Sequence, residues 1–173
     1  PFSEGLYGVA ESLVPAFVDL WRAGVLKRRA GDGAGAHGGF LIGCNAFYAA
    51  LRDMPDEERA LFRMTSVSFT NRLNFEDEVQ QRKDRRDARF VNAAMMATVF
   101  GDVVSDRLAD GRVVSGVGGQ FDFVAQAHQL DDARAIIALN AVHVSGGRAE
   151  SNIRYAYGAC TIPRHLRDVV VSE

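Results

Sequence analysis

Cysteine is scarce. The 173 residues hold two, Cys44 and Cys160. They share no metal-ligand spacing, and no His or Cys cluster accompanies them. They read as free thiols of a reducing, cytoplasmic setting, and no metal is expected. The four histidines, His37, His128, His143 and His165, are scattered without partner spacing, so none is assigned a catalytic role. No run approaches the ~18 apolar residues of a membrane-crossing helix. No secretory signal is visible, and no membrane is expected as a partner. An excess of one charge is also missing. Twenty Lys and Arg face 22 Asp and Glu, for a net charge of −2. That excludes the basic footprint of a nucleic-acid binder. The longest basic cluster, "QQRKDRRDAR", is broken by its own acids and reads as a solvated loop or helix face. There is no G-x-S-x-G elbow and no internal repeat.

What is present is an ordinary globular balance, 47 % apolar and 24 % charged. The length fits one domain over residues 1–173. Both ends read as cut: the chain starts at Pro1 and stops in "RDVVVSE", where Val169–Val171 look like a buried strand in progress. A fragment of a longer protein is therefore expected.

Leu13, Phe17, Leu20 and Trp21 fall on one face of a helix, with Ser12 as its N-cap, Pro15 in its first turn and Gly24 as its stop. "KRRAGDGAGAHGG" reads as a basic, glycine-rich loop and "FLIG" as a short buried strand. "CNAFYAALRDM" reads as a helix capped by Asn45. The alternating "MTSVSFT" reads as a strand. "DARFVNAAMMATVF" is ambiguous, but its β-branched ends and the following Gly101-Asp102 favour strand plus turn. "RVVS", "RAIIAL", "SNIRYA" and "DVVVSE" read as strands, and "FDFVAQAHQ" as a helix. Interspersed helices and strands predict α/β or α+β with a mostly buried sheet.

Two features carry chemistry. "VVSGVGGQFDFV" places Gly116, Gly118 and Gly119 between a strand and a helix, where backbone N–H groups attract an anion or a developing oxyanion. A tight turn needing φ > 0 explains the same glycines. Glu11 stands just before the expected helix start, where an ionised, partly desolvated carboxylate can attack a carbonyl. Simple complementation of the helix dipole explains it too, and from position alone that is the stronger reading. "GAGAHG", Gly33 to Gly38, matches a dinucleotide fingerprint on paper, but the polar "LKRRAGD" precedes it where a strand is required.

Six segments, taken in order, resemble the C-terminal domain of the acetyl-CoA hydrolase/transferase family. These are "LYGVAESLVPAFVDLWRAGVLKRR", "VSFTN", "ARFVNAAM", "VVSGVGGQFDFV", "VSGGRAESNI" and "CTIPRHLRDVVVSE". The relatives are coenzyme A transferases akin to the 4-hydroxybutyrate and succinyl-CoA:acetate enzymes. The resemblance implies an α/β fold with an open, mostly parallel sheet flanked by helices, forming the C-terminal half of a two-domain enzyme. It selects Glu11 as the residue that forms acyl-glutamyl anhydride and glutamyl-CoA thioester intermediates. The commoner family version reads "HTE" at this point, where this chain has Val9, Ala10 and Glu11. Gly118 and Gly119 would inherit an oxyanion-hole role, with Gly116 and Gly118 beside the CoA thioester. Asn71 and Asn92 resemble asparagines near the CoA or acyl site. Phe121 and Phe123 would anchor the helix that follows the glycines.

The implied substrates are an acyl-CoA and a carboxylate acceptor, or water in a hydrolase. The implied partner is the N-terminal half of the same protein, and a homodimer is admitted. The competing class is a non-catalytic CoA- or acyl-CoA-binding module.

Overall fold

The computed structural model describes residues 3–73 and 77–173. The chain divides into two compact units, Pro1–Arg86 and Asp87–Glu173.

The first unit is a βαβαβ wind. Strands β1 (Gly8–Leu13), β2 (Ala36–Leu41) and β3 (Phe62–Met64) pair in that order, all parallel. Parallel neighbours need crossovers. Helix α1 (Pro15–Arg22) makes the first, and α2 (Asn45–Arg52) with the short α3 (Asp56–Arg59) makes the second. Val18, Phe47 and Met54 form the core under the crossovers, with Trp21, Leu41, Ala50, Leu51 and Phe62 packed on it. Helices α4 (Val67–Asn71) and α5 (Glu78–Asp84) follow.

The second unit holds strands β4 (Arg89–Ala93), β7 (Arg134–Leu139) and β11 (Val169–Ser172) as a parallel sheet in the order β11-β7-β4. Helix α6 (Gln120–Gln129) precedes β7. Its Phe123 packs on Phe90 of β4, ring centroids 5.5 Å apart. A small mixed sheet combines β5 (Met96–Thr98), β6 (Val103–Val104) and β10 (Ile153–Arg154). Strands β8 (Val142–Ser145) and β9 (Arg148–Ser151) form a hairpin. The class is α/β with mostly parallel sheets flanked by helices: two sheets are wholly parallel, and the small mixed sheet adds the parallel pair β10–β5.

Several local readings need correction. The first helix starts at Pro15, with Val14 and not Ser12 at its cap. A residue before proline is pushed out of the α region, and Val14 accordingly sits at φ −114°, ψ 167°. Glu11, Ser12 and Leu13 therefore belong to β1. Gly24 does end the helix, at φ +67°. Strand β2 begins at Ala36, so His37, Gly38 and Gly39 leave the expected loop. Cys44 caps α2, one residue before Asn45.

"MTSVSFT" is only partly a strand. The Ser66 hydroxyl accepts from the Phe69 N–H at 3.1 Å, and this cap turns "VSFTN" into α4. "RVVS" is not a strand either. Only Val113 makes a bridge, to Arg107, and Val113 and Val114 are exposed. The β8–β9 hairpin was missed. Gly146 and Gly147, at φ +56° and +76°, supply its two-residue turn. Val169–Val171 form a strand, but an exposed one. No helix among the described residues is long and apolar enough to cross a membrane.

Candidate active site

The site in the first unit is built where α4 meets the β1–β2 pair. Three contacts bring them together. Gly39 has no room for a side chain: a Cβ there would lie 2.9 Å from Val67 Cγ2 and 3.0 Å from the Glu11 carbonyl oxygen. That lets α4 approach the strands closely. The His37 ring packs against Phe69 with centroids 4.9 Å apart. Asn71 Nδ2 donates to Glu11 Oε2 at 2.5 Å. The two residues lie 60 positions apart in sequence and meet side chain to side chain.

Asn71 is itself oriented. Thr70 Oγ1 donates to Asn71 Oδ1 at 2.8 Å. With that oxygen already accepting, the amide nitrogen turns to the carboxylate. Thr70 and Asn71 are both buried, whereas Glu11 is half-buried. Glu11 can thus face a ligand while one of its oxygens is held. The expected place of Glu11 beside a helix start is corrected: it lies within β1, and its direct polar partner is Asn71 rather than helix backbone.

A second polar chain runs alongside. Asp32 Oδ2 accepts from Arg63 Nη1 at 2.9 Å, and His37 Nε2 lies 3.1 Å from the same oxygen. Tyr7 Oη lies 2.6 Å from His37 Nδ1. The charge states follow from the surroundings. Partial burial alone would raise the Asp32 carboxyl, but the Ala34 N–H, His37 and Arg63 outweigh it and hold it below its usual range. Burial pushes the His37 imidazole down, against the pull of Asp32. Burial pushes the Tyr7 hydroxyl up. The consistent arrangement is a carboxylate, a neutral imidazole donating from Nε2, and a phenol donating to Nδ1. Sequence reading left His37 without partners because they stand 5 and 30 positions away.

Arg85 is the other residue that sequence reading missed. It lies in the cluster taken as a solvated face, yet it is only 2 % exposed. Its guanidinium donates to the Phe69 carbonyl at 2.6 Å and to the Arg72 carbonyl at 3.0 Å, and stands 5.4 Å from the Phe69 ring centre. Burial lowers its basicity. No sequence signal separates Arg85 from its exposed neighbours, because the cluster has charge on every side of the helix.

The remaining candidates gather in the second unit. Gly118 has φ +58°, the left-handed region that favours glycine. Gly119 caps α6 at φ −84°, which any residue can adopt. Gly116 is exposed and open around its Cα. Gln120 opens the helix, and its Nε2 donates to the Ala93 carbonyl at 2.7 Å. This bond ties the glycine turn to β4 beside Asn92. Asn92 Nδ2 and Gln120 Oε1 are buried without a hydrogen-bond partner. Phe123 anchors the helix, but Phe121 is 43 % exposed and does not. Helical periodicity puts residues two apart on different faces. Glu11 and Asn71 are thus brought together in one unit, and Asn92, Gly118 and Gly119 in the other. Among the described residues, no three His, Cys, Asp or Glu side chains group as metal ligands.

A search of curated proteins finds no match. Among solved structures, RipA from Yersinia pestis is 27 % identical with a TM-score of 0.71, over 93 % of this chain and 34 % of its own. A point variant of RipA gives 27 % and 0.72 over the same shares. A 4-hydroxybutyrate CoA-transferase from Porphyromonas gingivalis, 14 % identical over 98 % of this chain and 36 % of its own, has a TM-score of 0.63 and supports the fold alone. The chain spans about a third of the length of these structures. The model of the acetyl-CoA hydrolase/transferase C-terminal domain matches residues 43–173, which begins after Glu11 and includes Asn71, Asn92 and the glycine turn. With most of its length under that model, the chain belongs to the acetyl-CoA hydrolase/transferase C-terminal domain family.

Proposed function

We propose that this chain is the C-terminal part of an enzyme that moves CoA from an acyl-CoA to a carboxylate, or to water, with Glu11 as the nucleophile. The observation that carries the reading is the Asn71–Glu11 hydrogen bond at 2.5 Å. It joins two residues that the resemblance picks out from segments 60 positions apart, and it holds one carboxylate oxygen while the carboxylate stays half-exposed.

The chemistry follows from the groups. A Glu11 oxygen attacks the thioester carbonyl, the C–S bond breaks, and an acyl-glutamyl anhydride forms with release of CoA thiolate. The thiolate attacks the glutamyl carbonyl of the anhydride. That expels the donor carboxylate and leaves a Glu11–CoA thioester. An acceptor carboxylate attacks this thioester, giving a new anhydride and thiolate. Attack of the thiolate on the acceptor's acyl carbon yields the new acyl-CoA and regenerates Glu11. Water attacking the enzyme thioester gives hydrolysis instead. The Asn71 amide keeps the carboxylate aimed in the resting state and donates to the oxyanion when the glutamyl carbon is attacked. Backbone N–H groups at Gly118 and Gly119 are assigned to the oxyanion of the acyl carbon, and Asn92 to the CoA side. The family supplies acyl-CoA and carboxylate as the substrate classes.

The test uses the full-length protein carrying this chain. After incubation with acetyl-CoA, mass spectrometry of the peptide containing Glu11 is expected to show a CoA adduct, absent from Glu11→Gln. CoA binding with neither adduct nor CoA release would leave a non-catalytic CoA-binding module.

A further inference from the structure

Helix α4 has five residues. One turn of helix does not sustain itself in water, since nucleation costs more than its few hydrogen bonds return. Asn71 is its last residue, at the end that frays first. Yet Asn71 must stay within a few tenths of an ångström of its place to bond Glu11. Something outside the helix holds it.

Two buried side chains outside α4 do so. Arg85 donates to the carbonyls of Phe69 and Arg72, which lie on either side of Asn71 in sequence. These are carbonyls that a helix end leaves without intrahelical donors. A guanidinium can bridge both because its N–H groups form a rigid fork. His37 is fixed at both ring nitrogens by Tyr7 and Asp32, and it packs on Phe69. Arg85 contacts the same ring. We infer that Arg85 and His37, acting through Phe69 and the carbonyls beside Asn71, are positioning residues that hold the Asn71 amide on the Glu11 carboxylate. This rests on the reading of Glu11 as nucleophile for its kinetic consequence, but not for its structural one.

A positioning role differs from general support in one respect: its kinetic effect passes through Asn71. Arg85→Lys keeps a charge but loses the fork, and His37→Gln removes the ring that packs on Phe69. In the full-length protein each is expected to lower kcat with acetyl-CoA by about tenfold or more, with KM changed by less than about twofold, as for a misplaced reacting group. Asn71→Ala is expected to lower kcat similarly. The double variants Asn71→Ala/Arg85→Lys and Asn71→Ala/His37→Gln should be no slower than Asn71→Ala alone. Multiplying losses would overturn the inference.

A second measurement needs no turnover. The side-chain amide resonance of Asn71, assigned by its loss in Asn71→Ala, is expected to shift in Arg85→Lys and in His37→Gln. An unmoved resonance would also overturn the inference. If the resonance moves while Glu11→Gln keeps full turnover, the positioning stands and the nucleophile assignment fails. If Arg85→Lys does not fold, His37→Gln carries both tests.

Discussion

At the scale of single residues, Glu11 and the two turn glycines make separable predictions. Glu11→Gln keeps shape and can still accept from Asn71, but an amide cannot form the anhydride. CoA release by the full-length protein is expected to fall to background with the melting temperature nearly unchanged. Retained turnover would return Glu11 to a structural role. The glycines differ from each other in a way that their sequence does not reveal. At φ +58°, Gly118→Ala places a Cβ in the left-handed region, at a cost of about 1–2 kcal/mol. Gly119→Ala at φ −84° carries no such cost. Thermal unfolding should therefore single out Gly118. A fall in kcat/KM for Gly119→Ala of roughly 10²-fold or more is expected if its N–H serves the oxyanion. Normal kinetics in both variants would take the turn out of the chemistry.

At the scale of elements, the Tyr7–His37–Asp32 chain couples the first unit to pH. The folded imidazole is depressed below its ordinary value near 6.5, chiefly by burial. The unfolded chain therefore takes up a proton first as pH falls. Stability is full above about pH 6.5 and is lost downward until the folded imidazole itself protonates. Denaturant unfolding between pH 7.5 and 5 should show this decline, and His37→Gln should flatten it. A decline of equal slope in the variant would assign it to other groups.

The Tyr7–His37–Asp32 contacts were illegible in the sequence because Tyr7 stands 30 positions from His37 and no spacing rule ties the two. The elements that were legible depend on local signals: α2 from "CNAFYAALRDM", α6 from the segment just after the glycines, β7 from the short apolar run "RAIIAL", and the end of α1 from Gly24. The errors have equally local causes. Ser12 looked like a cap because Leu13 shares the helical spacing of Phe17, but Pro15 forbids helix before it. "SVSFT" alternates like a strand, yet the Ser66 hydroxyl caps a turn. Arg85 looked solvated because burial of a charge is decided by carbonyls that the fold supplies. Glu11, Asn71, Asn92 and the glycines were selected by resemblance. Only the coordinates show that Asn71 touches Glu11.

At the scale of the whole molecule, the candidate residues divide between two units, Glu11 and Asn71 in Pro1–Arg86, Asn92 and the glycines in Asp87–Glu173. The solved relatives are about three times as long as this chain. Ligand sites favour clefts between domains, and the second wall is expected from the N-terminal half of the full-length protein. The 173-residue chain alone is therefore expected to release CoA from acetyl-CoA at a small fraction of the full-length rate. Adding the remainder of the protein as a separate polypeptide should restore part of that rate, saturating with its concentration. Turnover by the chain alone at the full-length rate would mean that these residues suffice for the site. The N-terminal part would then lose its place as the chain's catalytic partner.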